Sequence, residues 1–355
     1  MGKDERVGTQ SMIWRSGLIL FFSLTAAPAY AELPWISSLK SALNQLDAEY
    51  PGQLGVYVHD LRSNEHFSFR GEEPWYLASG TKILVAAEIL RQIDEGRFSL
   101  DTKLVVGPDD FIDGAGALNY APAGSFHTVR YLLEQMLAES DNTASDLLIR
   151  KAGIKKVNAL ARLNDLNPVT FLSEVRRKVY SQIHPSAAKL KNKFIIELSL
   201  AASDQEKLQL LEQKIKVEPG QRRKKSIDAA FAAYYAEGTN SGTLRNYSVF
   251  LRRLIEGPWL KASSSRLLVD IMLRCKTGEK RIKAGLGEGL SFAHKTGTQR
   301  KRMCDFGIVR RGEKNIAVIS ACARGFSTTA EGEKALGRLG VALGESGLYR
   351  KRSAP

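Results

Sequence analysis

Strand-forming sequence in this chain is confined to its two ends. Near the start, LGVYVHDL alternates in the manner of a strand, Arg62-Ser63-Asn64 supplies a turn, and EHFSFRG pairs back. Near the end, FAHKTGTQ, CDFGIVRR and NIAVISACAR are three further runs with short turns, among them Arg311-Gly312-Glu313-Lys314. Nearly everything between reads as helix and loop. If the terminal runs pair, they make one five-stranded antiparallel sheet. ISSLKSALNQLDAEY, which Pro51-Gly52 ends, and GEKALGRLGVALGESGL are the helices that flank it. The expected class is therefore α/β (α+β), a sandwich with an all-helical lobe inserted into the sheet and the site where the lobes meet. In residue numbers, the sheet lobe is 32–78 and 288–350 and the helical lobe 79–287, together one domain over 32–355.

The first residues read as an export signal. Lys3, Arg6 and Arg15 precede the apolar run GLILFFSLTAA, and Ala29-Tyr30-Ala31 is an A-x-A cleavage site, so 1–31 is expected to be a signal peptide. The run is about a dozen residues, short of the roughly 20 a membrane-spanning helix needs. An exported, periplasmic or secreted location follows as an expectation. The net charge of +14 resides in scattered clusters such as Arg176-Arg177-Lys178 and Arg222 to Lys225. A basic chain invites a nucleic-acid reading, but the signal argues against it and no zinc-finger or base-stacking motif supports it. Outside the cytoplasm, anionic wall polymers or lipid headgroups are the natural counter-surface. Three cysteines exclude a disulfide scaffold. Cys304 and Cys322 lie near the two ends of one hairpin and are candidates for a pair, subject to register.

Two short strings recur. Lys-Thr-Gly stands at Lys276 and at Lys295. The first ends the amphipathic segment SSSRLLVDIMLRCKTG, with Gly278 in the place of a helix C-cap glycine, and is expected to be a helix terminus only. The second lies inside an alternating run, so Lys295, Thr296 and Thr298 are expected to face one groove, an arrangement that suits an anion. Ser-x-x-Lys occurs three times, at Ser37, Ser79 and Ser186. Only LASGTKILVAAEIL sets the serine at the start of a strongly apolar helix, one turn from its lysine, Lys82. There Ser79 is either a helix cap or a nucleophile resting on backbone N–H groups. A single Ser-Asp-Asn, Ser140 to Asn142, lies between two helical patterns.

The order Ser-x-x-Lys, Ser-Asp-Asn, Lys-Thr-Gly resembles that of class A serine β-lactamases and penicillin-binding D,D-peptidases. LLIRKAGIKKVNAL, TLRNYSVFLRRLIEG and RIKAGLGEGLSFAHKTGT resemble the same family. The resemblance implies the β-lactamase/transpeptidase-like fold and a serine hydrolase that needs no cofactor. It makes Ser79 the acylated nucleophile, Lys82 its base or proton relay, and Ser140 the donor to the departing nitrogen. Asn142 would hold the substrate's side-chain amide. Lys295, Thr296, Gly297 and Thr298 would bind the carboxylate, and the Ser79 and Thr298 N–H groups would form the oxyanion hole. Lys283 sits where some members carry an arginine. Physically, a serine hydroxyl needs an adjacent proton acceptor, and a lysine serves only if burial or a neighbouring cation lowers its pKa. No metal-ligand spacing offers an alternative, and His294 reads as a strand residue facing away.

From about Asn164 to Glu237 the resemblance fails. The Glu-x-x-Leu-Asn stretch that serves class A enzymes in deacylation is missing, and FLSEVRRKVYSQIHP and a long basic helical segment stand in its place. Glu174 falls near the expected position and Glu218 lies far along the insertion; an ordinary surface glutamate is the simpler reading of each. Three functions follow from the resemblance: a β-lactamase, a D,D-peptidase acting on acyl-D-Ala-D-Ala, or a penicillin-binding sensor without turnover.

Overall fold

The computed structural model describes residues 33–350 apart from Ala115, so the expected signal peptide lies outside the described residues. Five strands form the main sheet: β1 (Gln53–Asp60), β2 (Glu65–Phe69), β7 (Ser291–Gln299), β8 (Arg302–Arg311) and β9 (Lys314–Arg324). Their spatial order is β2-β1-β9-β8-β7, every pair antiparallel, so the two ends of the chain meet at β1 and β9 and β7 is left as an edge. Helix α1 (Pro34–Glu49) buries Trp35, Leu39, Leu43 and Leu46 along one stripe and packs with α12 (Thr329–Glu345). This is the five-stranded antiparallel sheet with flanking terminal helices expected from the strand distribution.

The register of the β8–β9 hairpin places Cys304 directly opposite Cys322, and the two form a disulfide. Cys275 remains a buried free thiol.

The middle of the chain is built around α2 (Lys82–Asp94). Its residues Ile83 to Ala87, Ile89 and Leu90 are all buried, which marks a helix wrapped on every side. Around it stand α3 (Val129–Ala138), α4 (Asn142–Ala152), α5 (Ile154–Arg162), α10 (Leu244–Glu256) and α11 (Ala262–Leu273). The lobe is not all helical, as the sequence suggested. Strand β3 (Pro74–Tyr76) pairs with β6 (Ser241–Thr243), and β4 (Lys103–Val105) with β5 (Phe126–Thr128). Runs of three residues are too short to display a period of two, and only their distant partners make them strands.

The atypical segment folds into α6 (Leu172–Ile183), α7 (Asn192–Leu200), α8 (Asp204–Ile215) and α9 (Ile227–Ala236). These have a core of their own, with Val179, Ile183, Leu211 and Tyr234 among its members. That core also takes in Tyr76 and Ala78, immediately before Ser79.

Candidate active site

Ser79 lies on a 3-10 turn, Ala78–Thr81, that leads into α2, rather than in the helix itself. Phe306 and Tyr247 hold this turn. A Cβ on Gly80 would meet the Phe306 ring at 2.4 Å, and the Tyr247 hydroxyl donates to Gly80 O at 2.6 Å. Ala78 has φ of 49°, a left-handed conformation that costs a non-glycine residue of order 1 kcal/mol or more. Strand β7 passes against the turn so closely that a Cβ on Gly297 would stand 2.4 Å from Leu77 O. The glycine of the second Lys-Thr-Gly is thus a requirement of close approach.

Ser140 occupies the three-residue link between α3 and α4, also left-handed at φ 63°. Its neighbour Asp141 caps α4, accepting from Ala144 N at 2.8 Å, so Ser140 is not spent as a cap. Two ammonium groups bracket the Ser140 hydroxyl, Lys295 Nζ at 3.0 Å and Lys82 Nζ at 3.3 Å. Lys82 also donates to Ser140 O at 2.6 Å and Asn142 Oδ1 at 2.8 Å, while Asn142 Nδ2 donates to Asp113 O at 2.6 Å.

Both lysines are fully buried. Burial, reinforced by the charge of Lys295, holds the Lys82 ammonium well below the usual lysine range. Burial likewise lowers Lys295, to about 8, although Cys275 pulls the other way. A lysine prone to lose its proton beside one that keeps it is the division of labour that serine activation requires.

Ser79, Ser140, Asn142, Thr296 and Thr298 all line one cavity of about 500 Å³, a size suited to a small organic substrate. Neither Ser37 nor Ser186 lines it. Ser37 belongs to α1, and Ser186 to a 3-10 turn between α6 and α7. Among the described residues no hydrogen bond occupies the Ser79 hydroxyl. No cluster of three or more His, Cys, Asp or Glu stands ready for a metal among the same residues.

Two expectations need correction. Lys276 is indeed outside the site, 2.5 Å from Glu139 at the surface, but Gly278 is not a helix cap. Helix α11 ends at Leu273, and Gly278 takes φ of 79° to let Thr296 approach; its Cβ would meet Thr296 Cγ2 at 2.4 Å. Thr277 and Gly278 of this first Lys-Thr-Gly line the cavity, and the Thr277 and Thr296 hydroxyls share a hydrogen bond of 2.5 Å.

Lys283 does not supply the cation beside the threonines, because it pairs with Glu279 at the surface. Arg281 does. It is 4% exposed and donates to Thr298 Oγ1 at 2.7 Å and to the Gly297 and Cys304 carbonyls. Two basic residues two positions apart are alike in sequence, and the turn after α11 chooses between them.

His294, a residue of β7, does not line the cavity. It is buried, and Nδ1 bonds to Asp305 Oδ1 at 2.7 Å. Burial lowers the imidazole, but the Asp305 carboxylate outweighs it and lifts His294 to about 9. Burial raises the Cys275 thiol, while the nearby charges of His294 and Lys295 more than reverse this, to about 6. No hydrogen bond closes between the His294 Nε2 and Cys275, whose Sγ lies 3.3 Å from Thr277 Oγ1. The imidazole acts on the thiol as a neighbouring charge.

Glu174 is turned away. It pairs with Arg177 at 2.5 Å with its side chain 44% exposed, while its neighbours Leu172, Val175 and Arg176 line the cavity. Glu218 belongs to a separate surface cleft. The carboxylates on the cavity wall are Asp113 and Glu333, each facing an arginine, Arg176 at 3.0 Å and Arg281 at 3.9 Å. Asp146 carries no signal in the sequence. Buried behind Lys82, it caps α6 by accepting from Leu172 N at 2.6 Å and Ser173 Oγ at 2.6 Å.

The sequence profile of the "Beta-lactamase enzyme family" matches residues 38–346. Beta-lactamase 3 of Bacillus cereus is 25% identical over 261 residues, covering 72% of this chain and 64% of that enzyme. A β-lactamase of Bacillus licheniformis is 23% identical over 278 residues, 77% of this chain and 71% of the other. Among solved structures, PBP-A superposes with a TM-score of 0.65 at 20% identity, covering 88% of this chain and 96% of its own. A β-lactamase from Burkholderia vietnamiensis gives 0.66 at 21%, covering 88% and 97%. At such identities the structural likeness establishes the fold.

Proposed function

We propose, because this chain belongs to the β-lactamase enzyme family, that it is a serine acyl hydrolase that opens the β-lactam ring through an acyl-enzyme on Ser79. The observation that carries the reading is the Ser140 hydroxyl held between a depressed Lys82 and a charged Lys295. Lys82, unprotonated, takes the proton of Ser79 as Oγ attacks the lactam carbonyl. The C–N bond then breaks, and the ring nitrogen receives a proton from Ser140, which Lys82 replenishes. The Lys295 ammonium, the Thr296 and Thr298 hydroxyls and Arg281 attract the substrate carboxylate, while the Ser79 and Thr298 N–H groups face the developing oxyanion. Asn142 orients the side-chain amide through the free proton of Nδ2. No step calls for a cofactor.

A second reading, a D,D-peptidase acting on acyl-D-Ala-D-Ala or a penicillin-binding protein that stays acylated, is favoured by one specific feature. Each carboxylate on the cavity wall faces an arginine, and Glu174 points elsewhere. Water then lacks an obvious base. Of the relatives by fold, a mutant of PBP-A is described as an acyl-enzyme complex with penicillin G.

Mass spectrometry after exposure to penicillin tests the common step: Ser79 should carry the adduct, and Ser79→Ala should carry none. Turnover of a chromogenic cephalosporin separates the two readings. Many turnovers support the hydrolase, and a stoichiometric burst followed by a stall supports the persistent acyl-enzyme. In either case Glu174→Ala should leave the time course unchanged.

A further inference from the structure

We propose that a second cleft, opening from the Ser79 cavity across Thr298 and Gln299, is a subsite for a carboxylate-bearing arm of the molecule that acylates Ser79. The proposal rests on the acyl-enzyme reading for what enters the first cavity. The second cavity measures about 490 Å³ and shares Arg176, Thr298, Gln299 and Thr329 with the first, so one ligand can occupy both. The atypical segment builds one wall, with Arg176 and Tyr180 from α6, Lys207 from α8 and Phe231 from α9; the β7–β8 turn contributes Arg300.

The charge of this lining decides the class of ligand. Arg176, Lys207, Arg300 and Lys301 line the cleft, and among the described residues no carboxylate does. Arg300 and Lys301 are engaged by Asp204 and Asp228, which lie outside the lining. The other two cations keep donors in reserve. Arg176 commits Nε to Asp113, and its Nη groups make no hydrogen bond among the described residues. The Lys207 ammonium makes neither an ion pair nor a hydrogen bond among the described residues.

Two cations with open donors across a cleft favour an anion over a neutral arm, because a carboxylate accepts charge-assisted bonds from both. Tyr180 and Phe231 supply an apolar surface for the chain that carries it, and the Arg176 guanidinium lies 5.4 Å from the Phe231 ring centre. Ligands with a short acyl arm ending in a carboxylate fit this description.

The test uses penicillins acylated on the 6-amino group with a glutaryl or an adipoyl chain, each against its methyl ester. The readout is the ratio of acylation rate constants, acid over ester. The wild type should favour the acid of at least one chain length, Lys207→Glu should lower that ratio about fivefold, and Lys207→Arg should preserve it. A ratio near one for both chains, or a ratio that Lys207→Glu leaves unchanged, overturns the subsite. Equilibrium binding of N-glutaryl-D-alanyl-D-alanine to Ser79→Ala protein, with and without Lys207→Glu, judges the cleft independently of acylation. Weaker binding by about fivefold supports it, and equal affinity overturns it. Failure of every penicillin to label Ser79 would count against the acyl-enzyme reading alone.

Discussion

At the scale of the residue, the lysines of two copies of one tripeptide received opposite surroundings. Lys295 is fully buried, whereas the Lys276 side chain is 69% exposed beside Glu139. Lys295→Ala should slow acylation by penicillin about a hundredfold or more, since it removes a preorganised charge from a dry site. Lys276→Ala should leave the rate within about twofold, because an exposed ion pair is worth at most about 1 kcal/mol.

The same burial sets a pH limit. Lys295 loses its proton as pH rises through about 8, so acylation should fall above that value. Stability runs in the opposite sense. The unfolded chain holds this proton up to about 10.5 while the folded one releases it near 8, so unfolding takes up a proton between those values. The cost of burying the ammonium is present in full below pH 8 and fades as pH approaches 10.5. Urea unfolding should therefore show Lys295→Met gaining more stability over the wild type at pH 7 than at pH 10. Nothing in the local sequence distinguishes a lysine at pKa 8 from one at 10.5; the shift comes from burial, opposed by Cys275 and Asp305 and reinforced by Arg281, all brought in by folding.

At the scale of the element, the site is a matter of how closely three chain segments approach. The Ala78–Thr81 turn, the α3–α4 link and strand β7 each carry one motif; the first two hold a left-handed residue, Ala78 and Ser140, and β7 needs a glycine at 297 for its close approach. Gly297→Ala would place a methyl group 2.4 Å from Leu77 O, which forces β7 away from Ser79. A displacement of about 1 Å can cost about a hundredfold in rate, and acylation should fall by at least tenfold while circular dichroism stays native. Strand alternation, helix apolarity and motif order were legible because each depends on neighbours in sequence. The three-residue strands β3 to β6 and the true end of α11 were not, for they depend on partners far along the chain.

At the scale of the whole molecule, two cores converge on the nucleophile. The larger packs α2 beneath Ser79, and the smaller, built by α6 to α9, includes Tyr76 and Ala78 just before it. The atypical segment therefore reaches the reactive serine through packing. Val179 is fully buried in that smaller core. Val179→Ala should cost about 1–3 kcal/mol in urea denaturation, and acylation of Ser79 should slow with it. A variant that loses the stability yet keeps the full rate would show the segment to be uncoupled from the site.

The sequence by itself determined the sheet, its flanking helices, the central helix and the three motifs, because hydrophobic periodicity and short spacings are local properties written in consecutive residues. Only the tertiary structure decided that Arg281 rather than Lys283 stands by Thr298, that Glu174 faces Arg177, and that Cys304 meets Cys322. Each of those outcomes turns on a side-chain direction, and a direction is fixed by register and close packing against residues far away in the chain.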